Sequence, residues 1–179
     1  MQLTTARLYL REFEEGDVPA LHAIEADPEA VKYVSYGPST EQVCRRDLAF
    51  HIEHQTAQSR IFYHLAVCLQ KELQMIGWCG VKISRGNEQE AELGYALQRQ
   101  HWGQGYITEA ASALLAYGFI QLRLHRIFAT CDPRNIGSAR VLEKIGMQRE
   151  GHLRQHKLSK GVWRDSLIYA VLEHEWQAR

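Results

Sequence analysis

Between Glu92 and Tyr106 the chain reads Glu-Leu-Gly-Tyr-Ala-Leu-Gln-Arg-Gln-His-Trp-Gly-Gln-Gly-Tyr. A short apolar strand, residues 91–97, ends; two glycines follow at 103 and 105; a helical pattern begins at once. Ile107, Ala110, Ala111, Leu114, Leu115, Gly118 and Leu122 fall on one stripe at helical spacing. A strand that turns through glycines directly into a helix constrains the fold to an α/β type. It also makes a potential anion site. Amides at a helix start have no partners inside the helix, the helix dipole adds positive potential there, and glycine lets a ligand approach the backbone closely. The third glycine of the dinucleotide fingerprint is missing, as is the Gly-Lys-Ser/Thr ending of a nucleotide P-loop. Two glycines by themselves fit a plain strand-to-helix turn equally well.

The rest of the chain supplies the setting. Residues 6–12 alternate apolar and charged positions and predict a strand. A helix over 16–26 has Pro19 in its first turn, where proline is tolerated. After a Tyr-Gly-Pro loop at 35–39, Thr40 can cap a second helix running to about residue 57. Residues 61–69 and 74–84 predict a hairpin. Beyond the glycine loop come a strand over 126–131, a helix over 136–145 closed by Gly146, and two long strands, 147–158 and 162–176. The order is β-α-α-β-β-β-α-β-α-β-β. It predicts an α/β fold (α+β by some schemes), with a mixed central sheet of about seven strands and helices on both faces.

Composition bounds the class. The 179 residues, 45% hydrophobic and 23% charged, fit one domain over 1–179 able to bury a core without staples. No linker, repeat or low-complexity tract divides them. No apolar run approaches a membrane span, and the first residues lack a leader pattern. Cys44, Cys68, Cys79 and Cys131 form no Cys-x-x-Cys pair. Three lie in core-like strands, as free thiols in a reducing cytoplasm would. Residues 99–164 hold eleven Lys/Arg against four Asp/Glu, a net of +7; because the total is zero, the remainder carries −7. This fits a surface facing a phosphorylated ligand or a solvated face that is simply asymmetric. A neutral total argues against bulk nucleic-acid binding.

The wider string sharpens the reading. Gln100-x-x-Gly103-x-Gly105 resembles the Gln/Arg-x-x-Gly-x-Gly/Ala signature of the GCN5-related N-acetyltransferases (GNAT). Tyr106–Ala110 looks like that family's helix start, and Asn135-x-x-Ser138 through Lys144-x-Gly146 like its second cofactor-side motif. Thr5-Ala-Arg-Leu-Tyr-Leu-Arg11, followed by Gly16-Asp17, is similar to the opening of its RimJ/RimL-like ribosomal-protein acetyltransferase branch. Met147 stands where the family usually has phenylalanine, a volume-tolerant change. The resemblance implies a sheet splayed between strands four and five that holds acetyl-coenzyme A as cosubstrate. The pyrophosphate would meet the backbone of residues 100–106, with Gln100, Trp102, Gly103, Gln104, Gly105 and Tyr106 as the loop set. The backbone near Ala96–Leu97 would polarise the thioester carbonyl. Asn135 and Ser138 would complete the cofactor side.

Attack of a neutral amine on a thioester needs a base, a polarised carbonyl and a proton for the departing thiolate. Glu92 is the candidate base, through water; it shares a strand face with Gly94 and Ala96, whose small size leaves room. It is equally a plain strand-end glutamate. Ser138 is the candidate hydroxyl near the thiolate, or a serine that satisfies a helix start. Other branches use a tyrosine as the acid, and the aligned stretch offers none. Asn135 could also be a cap, and Trp102 could simply pack the loop. Tyr33 and Tyr36, in the inter-helix loop, are candidates for the acceptor groove. His51 and His54, three apart on a helix, lack a third ligand, and His152 and His156 suit an acceptor-side or solvent role, so no metal is expected. The expected function is transfer of an acetyl group to a primary amine, foremost a protein N-terminal α-amine, in a cytoplasmic monomer or homodimer. A small-molecule amine acceptor and a non-catalytic coenzyme A-binding module are the alternatives.

Overall fold

Buried and outward positions alternate along the first sheet elements, and that alternation sets which face each helix covers. The computed structural model describes residues 1–177. Strand β1 (Gln2–Thr4) pairs with β2 (Leu8–Arg11), which buries Leu8 and Leu10 completely. After a single 3-10 turn over Glu15–Asp17 come helices α1 (Val18–Glu25) and α2 (Glu41–His54). The Thr40 hydroxyl accepts the Val43 amide at 3.4 Å as the α2 cap. Strands β3 (Phe62–Leu69), β4 (Met75–Ser84) and β5 (Asn87–Leu97) form a meander, and β5 leads through a 3-10 turn over Arg99–His101 into α3 (Tyr106–Ile120). Strand β6 (Arg126–Cys131), α4 (Ile136–Lys144), β7 (Gln148–Ser159), β8 (Val162–Leu172) and α5 (Glu173–Gln177) complete the chain.

The sheet order is β1-β2-β3-β4-β5-β6-β8-β7, antiparallel throughout except for β5 and β6. On one face α3 and α4 cover Leu65, Ile76, Val81, Leu93 and Ile127. On the other, α1 and α2 cover Ala66, Cys68 and Met75. The four cysteines are buried and unpaired. Among the described residues no helix is long and apolar enough to cross a membrane.

The expected splay is a matter of register. Strands β5 and β6 pair only at Glu90–Arg126, Ala91–Ile127 and Glu92–Phe128. Past those pairs β5 stays bonded to β4 as far as Leu97–Gly77, and β6 to β8 as far as Cys131–Leu167. The two strands therefore part and leave a notch between residues 93–97 and 129–131.

Several expected boundaries move. The sheet has eight strands, because Gln2–Thr4 pairs with β2; a short polar segment carries no strand pattern of its own. Strand β5 starts at Asn87, since its polar first residues pair with β4 and β6 around a turn shorter than expected. Helix α2 ends at His54, and the last strand ends at Leu172, where α5 begins.

Candidate active site

The glycine loop owes its shape to backbone conformation. Gly103 and Gly105 adopt φ of 73° and 80°, the left-handed region that disfavours side chains. A Cβ on Gly103 would meet nothing within 4 Å, so conformation and not crowding demands glycine there. The Glu109 amide bonds the Gly105 carbonyl at 3.1 Å, so the amides of the first turn of α3 precede the helix's own hydrogen bonds. The loop is braced from both ends. Trp102 Nε1 donates to the Leu97 carbonyl at 2.8 Å, Gln104 Nε2 to the Gln100 carbonyl at 3.0 Å, and Gln100 Nε2 to Gln98 Oε1 at 3.2 Å. Trp102 thus ties the loop to the end of β5.

A residue given no site role in the sequence completes the brace. Arg7, just before β2, donates from Nη1 to the Gln104 carbonyl at 3.0 Å and from Nε to Glu109 at 2.7 Å, and its guanidinium lies 4.6 Å from the Tyr106 ring centroid. Burial disfavours the Glu109 carboxylate, but hydrogen bonds from Thr5 and Arg7 outweigh it and hold the group below the usual carboxylate range. The basic excess of 99–164 is in part spent internally: Arg126 binds Glu90 and Glu150, Arg134 binds Asp132, and Arg99 binds Asp27.

Backbone direction at the notch follows from one bond. The Gln98 amide donates to the Ile76 carbonyl on β4 at 2.9 Å. Successive residues of a strand turn their polar groups to opposite edges. Leu97 and Tyr95 therefore face the notch, and Ala96 faces β4, which corrects the expectation that Ala96 would offer its amide. Trp102 occupies the Leu97 carbonyl, and the Leu97 amide points to the same edge.

Across the notch stands the start of α4. Asn135 caps it, its Oδ1 accepting the Ser138 amide at 3.1 Å. The Ser138 hydroxyl is 3.0 Å from the Tyr95 hydroxyl, which also donates to the Ser138 carbonyl at 3.2 Å. Of the two readings of Asn135, this geometry shows the cap; the Ser138 hydroxyl turns to Tyr95. A tyrosine does reach the site, from β5 and not from the stretch after β6. Burial pushes the Tyr95 hydroxyl up in pKa, so it stays protonated. Burial also raises the Cys131 thiol, against a hydrogen bond from Ser138.

Glu92 occupies the root of the notch on the opposite face. Its carboxylate is 41% exposed, accepts from the Thr130 hydroxyl at 3.3 Å and is 3.9 Å from the Lys157 ammonium. Lys157 also donates to Thr130 at 2.8 Å. It reaches there because β7 changes register against β8 between Leu153 and Lys157, with Gln155 at φ 48°. The same irregularity separates His152, which bonds Asp165 at 2.7 Å, from His156, which bonds Ser166 at 3.1 Å. The space over Gly94 is not wholly empty: the Trp78 ring lies 3.4 Å from where its Cβ would be.

A cavity of about 300 Å³ opens on this face, lined by Phe13, Leu21, Glu25, Tyr36, Asp47, Phe50, His51, His64 and Trp78. Tyr36 is thus a wall of it. Tyr33 is not among its lining and lies instead under the Arg134 guanidinium, 5.5 Å from the ring centroid. The cavity floor is built by a close approach. The His64 ring lies over Gly80, where a Cβ would come within 2.2 Å of it, and stacks on Trp78 with centroids 5.4 Å apart. Burial drives the His64 imidazole down to about 3 and lowers His51 as well, so both are neutral at neutral pH. His51 and His54 do not converge: His54 Nδ1 meets the Phe50 carbonyl at 2.7 Å, and His51 turns to His64. Among the described residues no three metal-ligating side chains gather.

A notched mixed sheet with a glycine loop at the head of α3 defines an acetyltransferase of the GNAT type. The family model described as acetyltransferase (GNAT) domain matches residues 7–148, and the chain belongs to that family. It is 38% identical to the N-acetyltransferase YnaD of Bacillus subtilis (strain 168) over 176 residues, 98% of this chain and 99% of that one. The structure of a GNAT-family acetyltransferase from Bacillus anthracis superposes with a TM-score of 0.89 at 35% identity, over 98% of this chain and all of the other. A ribosomal protein uS5-alanine N-acetyltransferase of Escherichia coli (strain K12) is 31% identical over 94 residues, 52% of this chain and 48% of that one. The chain is an N-acetyltransferase.

Proposed function

We propose that the enzyme passes the acetyl group of acetyl-coenzyme A directly to the α-amine of a protein N-terminus, with both substrates bound at once. The observation that carries the donor half is continuity: the strand that ends in the glycine loop is the strand that loses its partner past Glu92. The donor supplies an activated thioester. The amides at the head of α3 and the loop 100–106 bind its pyrophosphate. The Leu97 amide, turned to the notch, receives the carbonyl oxygen as charge develops on it. Ser138, backed by the Tyr95 hydroxyl, supplies the proton to the sulfur. Glu92 removes the amine proton through water, with Thr130 and Lys157 fixing its carboxylate.

The protein acceptor is supported by the name of the uS5-alanine acetyltransferase relative. The small, side-chain-lined cavity beside Trp78 favours a second reading, a free small-molecule amine. We place either reaction in the cytoplasm, where four buried, unpaired cysteines stay reduced. The test is release of coenzyme A thiol with a panel of N-terminal peptides and small amines. Turnover of an Ala-first peptide and none of free amines is expected from the first reading. Turnover of amines with peptides inert overturns it in favour of the second.

A further inference from the structure

The cavity under α2 is more specific in character than an acceptor channel needs to be. Its rings, Phe13, Tyr36, Phe50 and Trp78 with His64 stacked beneath, give it an aromatic wall on several sides. Two carboxylates line it. Asp47 is half exposed; Glu25 is 7% exposed. Among the described residues no lysine or arginine lines it. Among the described residues Asp47 forms an ion pair with its chain neighbour Arg46, at 3.3 Å, and Arg46 is three-quarters exposed, a pairing that water and salt weaken. Glu25 accepts from the Cys44 thiol at 3.5 Å. The Nδ1 atom of His51 is buried without a hydrogen-bond partner among the described residues. An unmet polar atom in a built cavity leaves a cost that a ligand can relieve.

The geometry points to a binding site for a second, cationic group of the acceptor: the enzyme acetylates one amine of a compact molecule or chain end while this cavity holds a positive charge on the same acceptor. Aromatic faces attract a cation. Asp47 adds opposite charge; burial raises the Glu25 carboxyl above its usual range, so a cation beside it is what favours its ionised form, and His51 offers a lone pair from Nδ1 when its proton is on Nε2. Burial keeps His51 and His64 uncharged, so neither repels the guest. Other charges near His64 are occupied: Arg60 binds Glu12 at 2.8 Å, and Lys82 lies over the Phe62 ring at 5.6 Å. The cavity's Trp78 wall adjoins the strand that borders the notch: Trp78 is paired with Ala96, and its ring lies 3.4 Å from where a Cβ on Gly94 would be. The same chemistry suits a small diamine or a peptide whose first side chain is basic.

The inference rests on the acetyltransferase reading, and the experiment separates the two. Thiol release is followed with 1,4-diaminobutane against n-butylamine and 4-aminobutyrate, and with a Lys-first against a norleucine-first peptide. In at least one pair the cationic acceptor should have a kcat/KM about tenfold higher or more, and the pair that shows it identifies the source. Asp47→Asn should collapse that ratio toward one. Arg45→Gln, on the solvent side of the same helix and paired with Glu41, should keep it. Equal rates within both pairs, or a ratio unchanged in Asp47→Asn, overturns the inference and leaves the acetyltransferase standing. Absence of thiol release with every acceptor, together with no thermal stabilisation by acetyl-coenzyme A, overturns the reading beneath it.

Discussion

The two halves of the proposed site are built from different materials. The donor half is main chain: glycines with positive φ, the amides at the head of α3 and the outward edge of β5. The acceptor half is side chain: rings, two imidazoles and two carboxylates drawn from the segment after β2, from α1, α2, β3 and β4, and from the loop between the helices. A main-chain site serves a constant ligand, because amides hardly vary with sequence. A side-chain site can be retuned by substitution without touching the donor half.

The sharpest break of that contrast is Gly105→Glu. The residue needs φ of 80° and borders Arg7, so a side chain there crowds the loop and a carboxylate opposes a phosphate. Thermal stabilisation by acetyl-coenzyme A, expected to be several degrees at saturating ligand in the parent, should vanish. A retained shift would show that the loop does not bind the donor. Next is Glu92→Gln, which should lower kcat about a hundredfold while the KM for acetyl-coenzyme A holds. An unaltered kcat assigns the base to another group.

The third prediction concerns only the acceptor half. An unfolded histidine takes a proton near pH 6.5, whereas His64 in the folded chain resists until about 3. Between those values the unfolded state binds the extra proton. The stability tied to His64 is therefore complete above about pH 6.5 and is lost as pH falls toward 3. The loss is on the order of a few kcal/mol, and His51 adds to it in the same direction. His64→Phe keeps a flat ring over Gly80 and removes the titration. Denaturant midpoints from pH 7 to 4 should fall less steeply in the variant; parallel curves would mean that His64 is protonated in the folded protein.

The same difference in material decides what could be read in advance. A main-chain feature leaves a mark in one short string, so Gly103, Gly105 and the stripe of α3 were enough to place a glycine turn at the head of a helix. Asn135 and Ser138 were legible for the same reason, as a cap three residues long. The acceptor cavity has no such string. His51 invited pairing with His54, its neighbour in sequence, but its real neighbour is His64 on β3. Tyr95 was visible only as a strand residue until the parting of β5 and β6 brought Ser138 opposite it. Arg7 acquires its role from Glu109, 102 residues away. Strand β1 exists because β2 offers it an edge, which no property of Gln2–Thr4 announces.

One more distant contact has a consequence for how the molecule comes into being. The tip of the β7–β8 hairpin holds the segment between α1 and α2: Ser159 donates to the Val34 carbonyl at 3.1 Å and Lys160 to the Val31 carbonyl at 2.8 Å. The partners are 125 and 129 residues apart in the chain, and contacts of such long range form only after large loops close. During synthesis the residues made early wait for residues made almost last. The glycine loop and α3 leave the ribosome while that fastening is still unmade, so a nascent chain holds the whole of its glycine turn before the segment between α1 and α2 is secured.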